Sequence, residues 1–299
     1  MENISILFYT NNLLSRPLLK ATTESAITHA KNNGCELIIT SHYPISNSYI
    51  DHPLGPTSSY KPDFDPTTQK FKQSDIYNYI IKDLKVETSC NHIKTFVVGK
   101  LHYSYESIYK QILFSLKQCS NENIVLMEHD CLYPKGYIEA VKKCLVSYQY
   151  HFAYCSFANC FLSEEGFFDI SLRNFLLSSC SGKKDLFQKI FSTKLKLLQE
   201  NKKYKFEPLL DIEPQKDRYD KEEVVIEKHL CADKFLDGPI LDIRHQLNSS
   251  PNILVREGEY LQEHEYWGNA KQYIDMIRAI EVEHKNAKLW SYGTARQDY

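Results

Sequence analysis

The chain has 299 residues, 42% hydrophobic and 25% charged, a composition that excludes a disordered or fibrous protein and suffices for one large core or a domain with a sizeable insertion. A formal net charge of −2 excludes a global positive field drawing the chain to nucleic acid or anionic membrane, though not a local basic groove. Nine cysteines without a Cys-x-x-Cys pair argue against a zinc knuckle and a disulfide framework. Cys131, Cys144, Cys155 and Cys160 lie in or beside apolar stretches and read as reduced core thiols.

The opening apolar run is too short for a secretion signal and no segment approaches bilayer length, so a cytoplasmic protein without a membrane span is expected. Residues Ile4 to Tyr9 form a β-prone run ending in Thr10-Asn11-Asn12, and a helical stretch follows from about Pro17 to Asn33. Gly34 stops that helix, and "CELIITSHYP" begins a second β-prone run. Strand, helix and strand with short links make the βαβ unit of a parallel sheet. Residues 45–75, rich in Ser, Pro, Tyr and Asp, predict an ordered loop. "TFVVGK" predicts a further strand and "SYESIYKQILFSLKQCS" an amphipathic helix.

The run Ile124-Val125-Leu126-Met127 is apolar on both faces, as a central parallel strand is. Pro134 suits the first turn of a helix carrying Tyr137, Ile138, Val141 and Leu145, and another strand is expected near 152–161. Between Lys183 and Lys205 eight lysines face only Asp185 and Glu200, with Leu186, Ile190, Phe191, Leu195 and Leu198 at helical spacing. That predicts a basic amphipathic helix. The expected organisation is an α/β part over 1–162 and a helical, Lys-rich insertion or acceptor subdomain over 163–235. A return to the sheet through "GPILDIRH" and a closing helix over 236–299 complete it.

Glu128, His129 and Asp130 stand where the apolar strand runs out. Two neighbouring carboxylates repel and are costly to bury alone, so a positive group belongs beside them, either a structural Lys or Arg or a metal ion. Acids at i and i+2 suit a hard divalent cation, and the carboxyl edge of a parallel sheet is where α/β proteins bind ligands. A second strand end, "LDIRH", offers Asp242, Arg244 and His245. An imidazole there could complete a metal shell while Arg244 holds a phosphate.

These pieces resemble a known group. "QILFSLKQCSNENIVLMEHDCLYP" and "GPILDIRHQLN" are similar to stretches of glycosyltransferase-like proteins found in phage and bacterial genomes, marked by EHD-x-LYP and a later DIRH. "FYTNN" and "SHYPI" look like that group's nucleotide-side segments, whereas Gln246 stands where a Gly often follows DIRH. The resemblance implies the GT-A fold of nucleotide-sugar glycosyltransferases: a mostly parallel, Rossmann-type central sheet flanked by helices. It implies that Asp130 and Glu128 face Mn²⁺ or Mg²⁺ and a diphosphate, with His245 as third ligand. Thr10, Asn11 and Gln111 would meet the nucleoside, Arg173 and Arg244 would bind substrate, and His129 would turn away into packing.

The donor is then a nucleoside-diphosphate sugar, taken as a UDP-sugar, and the acceptor a hydroxyl on hydroxymethylated phage DNA or on a glycan. If the chain is phage-encoded, it works in the host cytoplasm. Asp242 and Glu213 are the candidates for the catalytic base. Two rivals stand beside this reading. A nucleotidyltransferase would carry a Gly-rich loop that "YTNNLLSRP" lacks, and a non-catalytic nucleotide-sugar-binding protein would not need the acids.

Overall fold

In the computed structural model the described residues are 3–11, 16–42, 64–65, 70–71, 92–98, 105–147, 153–157, 159–163, 166–173, 177–200, 228–231, 236–243 and 260–274. The loop expected over 45–75 therefore lies almost wholly outside them, as does most of the expected closing helix.

The protein is a mixed α/β fold built on a mostly parallel sheet. The first half of the chain runs β1 (Ile4–Thr10), α1 (Arg16–Asn33), β2 (Glu36–Ser41), β3 (Ile93–Val97), α2 (Tyr105–Gln118) and β4 (Asn123–Glu128). After β4 come β5 (Cys131–Leu132), α3 (Tyr137–Ser147), β6 (Ala153–Ser156), β7 (Asn159–Leu162) and β8 (Phe168–Arg173). A 3₁₀ turn (Leu177–Ser179), β9 (Ser181–Lys183), α4 (Lys184–Glu200), β10 (Lys228–Cys231) and β11 (Ile240–Ile243) follow. The main sheet has seven strands in the order β10-β6-β9-β4-β1-β2-β3. Every neighbour pair in it is parallel except those made by β9.

All seven residues of β1 are buried, and alternation sends its side chains to two separate cores. Ile4, Ile6 and Phe8 point with Val125 and Met127 of β4 into a core closed by Ala26 and Ala30 of α1 and Ile138 and Val141 of α3. Leu7 and Tyr9 point the other way with Ile124 and Leu126, under Tyr109 and Ile112 of α2 and Phe187 and Phe191 of α4. A strand apolar on both faces is thus explained by helices on both sides.

A second sheet, ordered β12-β8-β7-β11-β5 with β12 at Tyr260–Leu261, has its own core. Cys160, Leu162, Leu241 and Ile243 pack there against Leu18 and Leu19 at the start of α1. A short hairpin, β13 (Glu263–His264) and β14 (Gly268–Asn269), follows β12. Tyr266 in its turn seats its ring against Gly238, where a Cβ would lie 2.4 Å from the ring. The Trp267 Nε1–H donates to the Pro239 carbonyl at 2.9 Å.

Several sequence expectations change here. The strand expected near 152–161 is two strands, β6 in the main sheet and β7 in the second, with buried Phe157 between them. The stretch 163–235, expected to be helical, holds β8, β9 and β10 as well as α4. Of these, β9 inserts beside the central β4 and α4 covers the same face as α2, because its apolar stripe is the lid of that core. "GPILDIRH" returns to the second sheet, between β7 and β5. Cys131 and Cys160 are reduced and buried as expected, whereas Cys144 is disulfide-bonded, contrary to its reading as a thiol. Among the described residues no helix is long and apolar enough to cross a membrane.

The amino edge of the sheet is pinned by one buried acid. Glu36 is 5% exposed; it accepts from Lys94 Nζ at 2.7 Å, from the Ser120 amide and hydroxyl, and from the Ser5 hydroxyl. Burial pushes its carboxyl up, but the bonds from Lys94, Ser5 and Ser120 outweigh it and hold the group below its ordinary value of 4.5. A carboxyl depressed on folding stabilises the protein above its unfolded-state value, and that contribution is lost as the pH falls through the folded-state value. Glu36→Gln is therefore expected to lower stability by about 1–3 kcal/mol at pH 7. In urea unfolding the gap to wild type should close as the pH falls below 4.5. A gap that is constant with pH would show that the carboxylate charge contributes nothing.

Candidate functional site

The chain leaves the main sheet at Glu128, turns through His129 and Asp130, and enters the second sheet at Cys131. This turn lies at the carboxyl edge of β4, beside the end of β1, since Tyr9 is in register with Glu128. The crossover is held on both sides. The Ile243 amide of β11 donates to the Asp130 carbonyl at 2.8 Å. The Tyr133 phenol accepts from the Glu128 amide at 2.8 Å and donates to the Ser178 carbonyl at 2.9 Å. Burial, followed by Cys131 and Tyr137, raises the Tyr133 pKa well above its ordinary value, so the phenol keeps the proton it donates.

Within this frame the side chains of the Glu-His-Asp triplet diverge. Glu128, half-buried, accepts from the Tyr9 phenol at 2.6 Å. Burial first and the Glu128 carboxylate second raise the Tyr9 pKa well above normal, which fixes Tyr9 as the donor. His129 was expected to turn into packing. Instead it is half-buried, and its Nδ1 lies 2.6 Å from the Thr10 hydroxyl; which of the two donates depends on the tautomer. Asp130 is 7% exposed. Carboxylate oxygens of Glu128 and Asp130 and the Cys131 sulfur all lie within 4.8 Å of one another.

Asp242, 5% exposed, stands opposite Cys131 in the antiparallel β11–β5 pair. Burial is the main cause that raises the Cys131 thiol, and Asp242, Asp130 and Glu128 add to it in that order. The Cys131 sulfur thus sits beside the Glu128 and Asp130 carboxylates, with Asp242 paired opposite it across the strands. Sequence reasoning placed Cys131 in the core, which is correct, but gave no sign that it is the point where the acids meet. The pairing of "LDI" with "CL" across the second sheet supplies that information, and nothing in either segment alone encodes it.

The other expected site residues separate into three groups. Thr10 and Asn11 sit at the end of β1 next to His129. Gln111 is 2% exposed, and its Nε2 donates to the Thr10 carbonyl at 3.0 Å and the Thr40 carbonyl at 3.5 Å. It ties two strand ends together from beneath, a different task from the nucleoside contact expected. Arg173 ends β8, where its backbone pairs with Asn159, and its side chain is outside the described set. Glu213, Arg244 and His245 lie outside the described residues altogether.

No known protein family matches the sequence, and no curated protein matches it either. Among solved structures, the chain is similar to a glycosyltransferase involved in the glycosylation of the major capsid of PBCV-1, with 10% identity and a TM-score of 0.42 over 83% of this chain and 94% of that one. It is also similar to S. aureus TarS 1-349 in complex with UDP-GlcNAc, with 13% identity and a TM-score of 0.38 over 96% of this chain and 68% of that one. A further match to S. aureus TarS 1-349, at 11% identity and TM-score 0.32, covers 69% of this chain and only 51%, about half, of that one. Likenesses this remote do not identify a function; the residues at the sheet edge have to do so.

The strut under the site is testable by itself. Tyr133→Phe keeps the ring and removes the hydroxyl that bridges the Glu128 amide and the Ser178 carbonyl. Leaving two buried backbone groups without this partner should cost about 1–3 kcal/mol in denaturant unfolding. A variant as stable as wild type would show that the phenol does not brace the crossover.

Proposed function

We propose that the protein is a metal-dependent glycosyltransferase of the GT-A type, moving a sugar from a nucleoside-diphosphate donor, taken as a UDP-sugar, to a hydroxyl acceptor. One observation carries the reading. Glu128 and Asp130 are held together at the carboxyl end of the central strand, next to Thr10 and Asn11 at the end of its parallel neighbour. That is where an α/β sheet presents ligands, and an acid pair there suits a cation more than an anion.

The residues fit a hard divalent ion. Glu128 and Asp130 offer carboxylate oxygens from one turn, the donor type that Mn²⁺ and Mg²⁺ take. Cys131 fits less well as a ligand, because a hard cation prefers carboxylate oxygen to soft sulfur; its sulfur forms a wall of the site. His245 comes two residues after Ile243, whose amide is anchored to Asp130. Outside the described residues, His245 is the third ligand of this reading. When bound, the cation supplies charge neutralisation for the leaving diphosphate.

The chain's own groups supply the rest. Asp130 and Glu128 hold the cation, Thr10 and Asn11 receive the nucleoside, and Arg173 and Arg244 pair with phosphate or sugar oxygens. In transfer the bond from the sugar anomeric carbon to the phosphate oxygen breaks and one to the acceptor oxygen forms. The acceptor proton goes to a carboxylate, Asp242 or Glu213. Of these, Asp242 stands across from Cys131 beside the acid pair.

The lysine-rich segment supports a DNA acceptor less than its sequence promised. The ammonium of Lys183 bonds Asn123 Oδ1 at 2.7 Å, that of Lys184 bonds the Cys119 carbonyl at 2.9 Å, and Lys194 is buried. Among the described lysines of α4, Lys189 and Lys196 are exposed. Hydroxymethylated DNA and glycans are accordingly arms of the test and not part of the claim.

The experiment measures UDP and UDP-sugar affinity with and without Mn²⁺, then sugar transfer to hydroxymethylated DNA, unmodified DNA and glycans. UDP should bind more tightly with Mn²⁺, and Asp130→Ala should abolish that gain. A loss of about tenfold or more is expected, since even outer partners of metal ligands cost 10–100-fold. UDP binding that ignores both the cation and the substitution would overturn the reading.

A further inference from the structure

We infer that Lys194 supplies a buried counter-charge to the inner side of the Glu128–Asp130 cluster, making it a positioning residue for the cation and diphosphate. This rests on the reading of that cluster as the donor site.

Lys194 belongs to the buried stripe of α4. It follows Phe187, Ile190 and Phe191 at helical spacing and is only 9% exposed. A lysine on the apolar face of a helix is rarely buried unless an anion is near, because desolvating an ammonium alone is costly. The other exits from this position are limited. Phe191, one turn back, is fully buried and packs on Tyr109 of α2 at 5.5 Å between ring centroids, so the helix surface there faces the core shared with α2 and not solvent.

The height of Lys194 in the fold follows from where the helix begins. The Lys184 amide donates to the Glu122 carbonyl at 2.8 Å, which fixes the start of α4 at the amino end of β4. Ten helical residues then rise about 15 Å. Over the same span β4 climbs five residues from Asn123 to Glu128, about 16 Å. Lys194 is thus carried to the level of Glu128. It arrives on the face where Glu128 meets Tyr9, since Tyr9, Phe187 and Phe191 share one core.

Cys180 gives an independent reading of the same placement. This residue lies under β4, its carbonyl accepting from the Leu126 amide at 3.0 Å. Its thiol is pushed up first by burial and then by Glu128, and is pulled back by Lys194. An anion and a cation therefore act on one buried sulfur from within the same core. With Lys194 in place, the two site carboxylates carry one positive charge on their inner side before any ligand arrives.

The consequence has a sign that packing alone would not give. Removing this charge leaves the acids more negative, so a divalent cation should bind more tightly and metal-free UDP, an anion, more weakly. The test uses the full chain, with Mn²⁺ alone as probe, followed by electron paramagnetic resonance of unbound Mn²⁺. Lys194→Met should tighten Mn²⁺ binding by roughly 4-fold to a few hundred-fold, the effect of one unit charge on a divalent ion about 10 Å away between water-like and protein-surface screening. Unchanged or weakened Mn²⁺ binding in a folded Lys194→Met protein would overturn the inference.

Thermal unfolding provides the second readout. Lys194→Met and Glu128→Gln should each lower Tm, while the double variant should unfold above the sum of the two losses. Additive losses, or a double variant that fails to fold, would make Lys194 a packing residue only. If wild type takes up no Mn²⁺, the donor-site reading falls, whereas the Tm coupling still decides whether Lys194 answers Glu128.

Discussion

The structure turns on a crossover of two residues. At Glu128 the chain gives up its ladder in the main sheet, and at Cys131 it joins another sheet, so His129 and Asp130 belong to neither. A turn between two sheets is a place where backbone groups lose regular partners and side chains are aimed by neighbouring strands. Here the lost partners are replaced one by one: the Asp130 carbonyl by the Ile243 amide, the Glu128 amide by the Tyr133 phenol. Each replacement comes from an element that also lines the site. Fixing the backbone and delivering the acids are therefore one event.

Charge explains why so many polar groups gather behind a strand that is otherwise apolar. Glu128 and Asp130 lie together beside Cys131 with Asp242 paired opposite, and a buried carboxylate is expensive to ionise without a positive or hydrogen-bonding neighbour. Tyr9 donates to one of them, and the thiol stays neutral. A cation taken up on the solvent side would relieve the remaining repulsion. The contrast with Glu36, at the opposite edge of the same sheet, is instructive. That acid is as buried as Asp242, but Lys94, Ser5 and Ser120 saturate it, so it closes the sheet and invites no ligand.

Much of this was legible in the sequence because it is periodic. The apolar run Ile124–Met127 announces a strand covered on both faces, and the polar triplet after it announces where that strand ends. The βαβ order follows from runs of plausible length separated by Gly34 and short polar links. What stayed hidden was pairing between segments far apart. One strand is expected near 152–161 and another in "GPILDIRH", but nothing in so short a run says that the first divides between two sheets or that the second joins the smaller one. Strand β9 is three residues, Ser-Gly-Lys, with no strand signal of its own; its place beside β4 comes from the core above it. The resemblance sends His129 into packing, whereas the turn past the strand end aims it toward Thr10. Lys194 counts in the sequence as one of eight lysines of a basic amphipathic helix, although its spacing from Ile190 and Phe191 puts it on the apolar stripe.

The central claim is that the edge shared by β1 and β4 is the seat of a nucleoside diphosphate and its cation. A crystal structure of the protein with UDP and Mn²⁺, with anomalous scattering used to find the manganese, addresses it most directly. The account predicts an anomalous peak about 2.0–2.3 Å from an Asp130 carboxylate oxygen, the range for hard-cation oxygen contacts. The diphosphate should lie on its far side and the nucleoside against Thr10 and Asn11. Manganese and UDP bound elsewhere, with Asp130 touching neither, would contradict it.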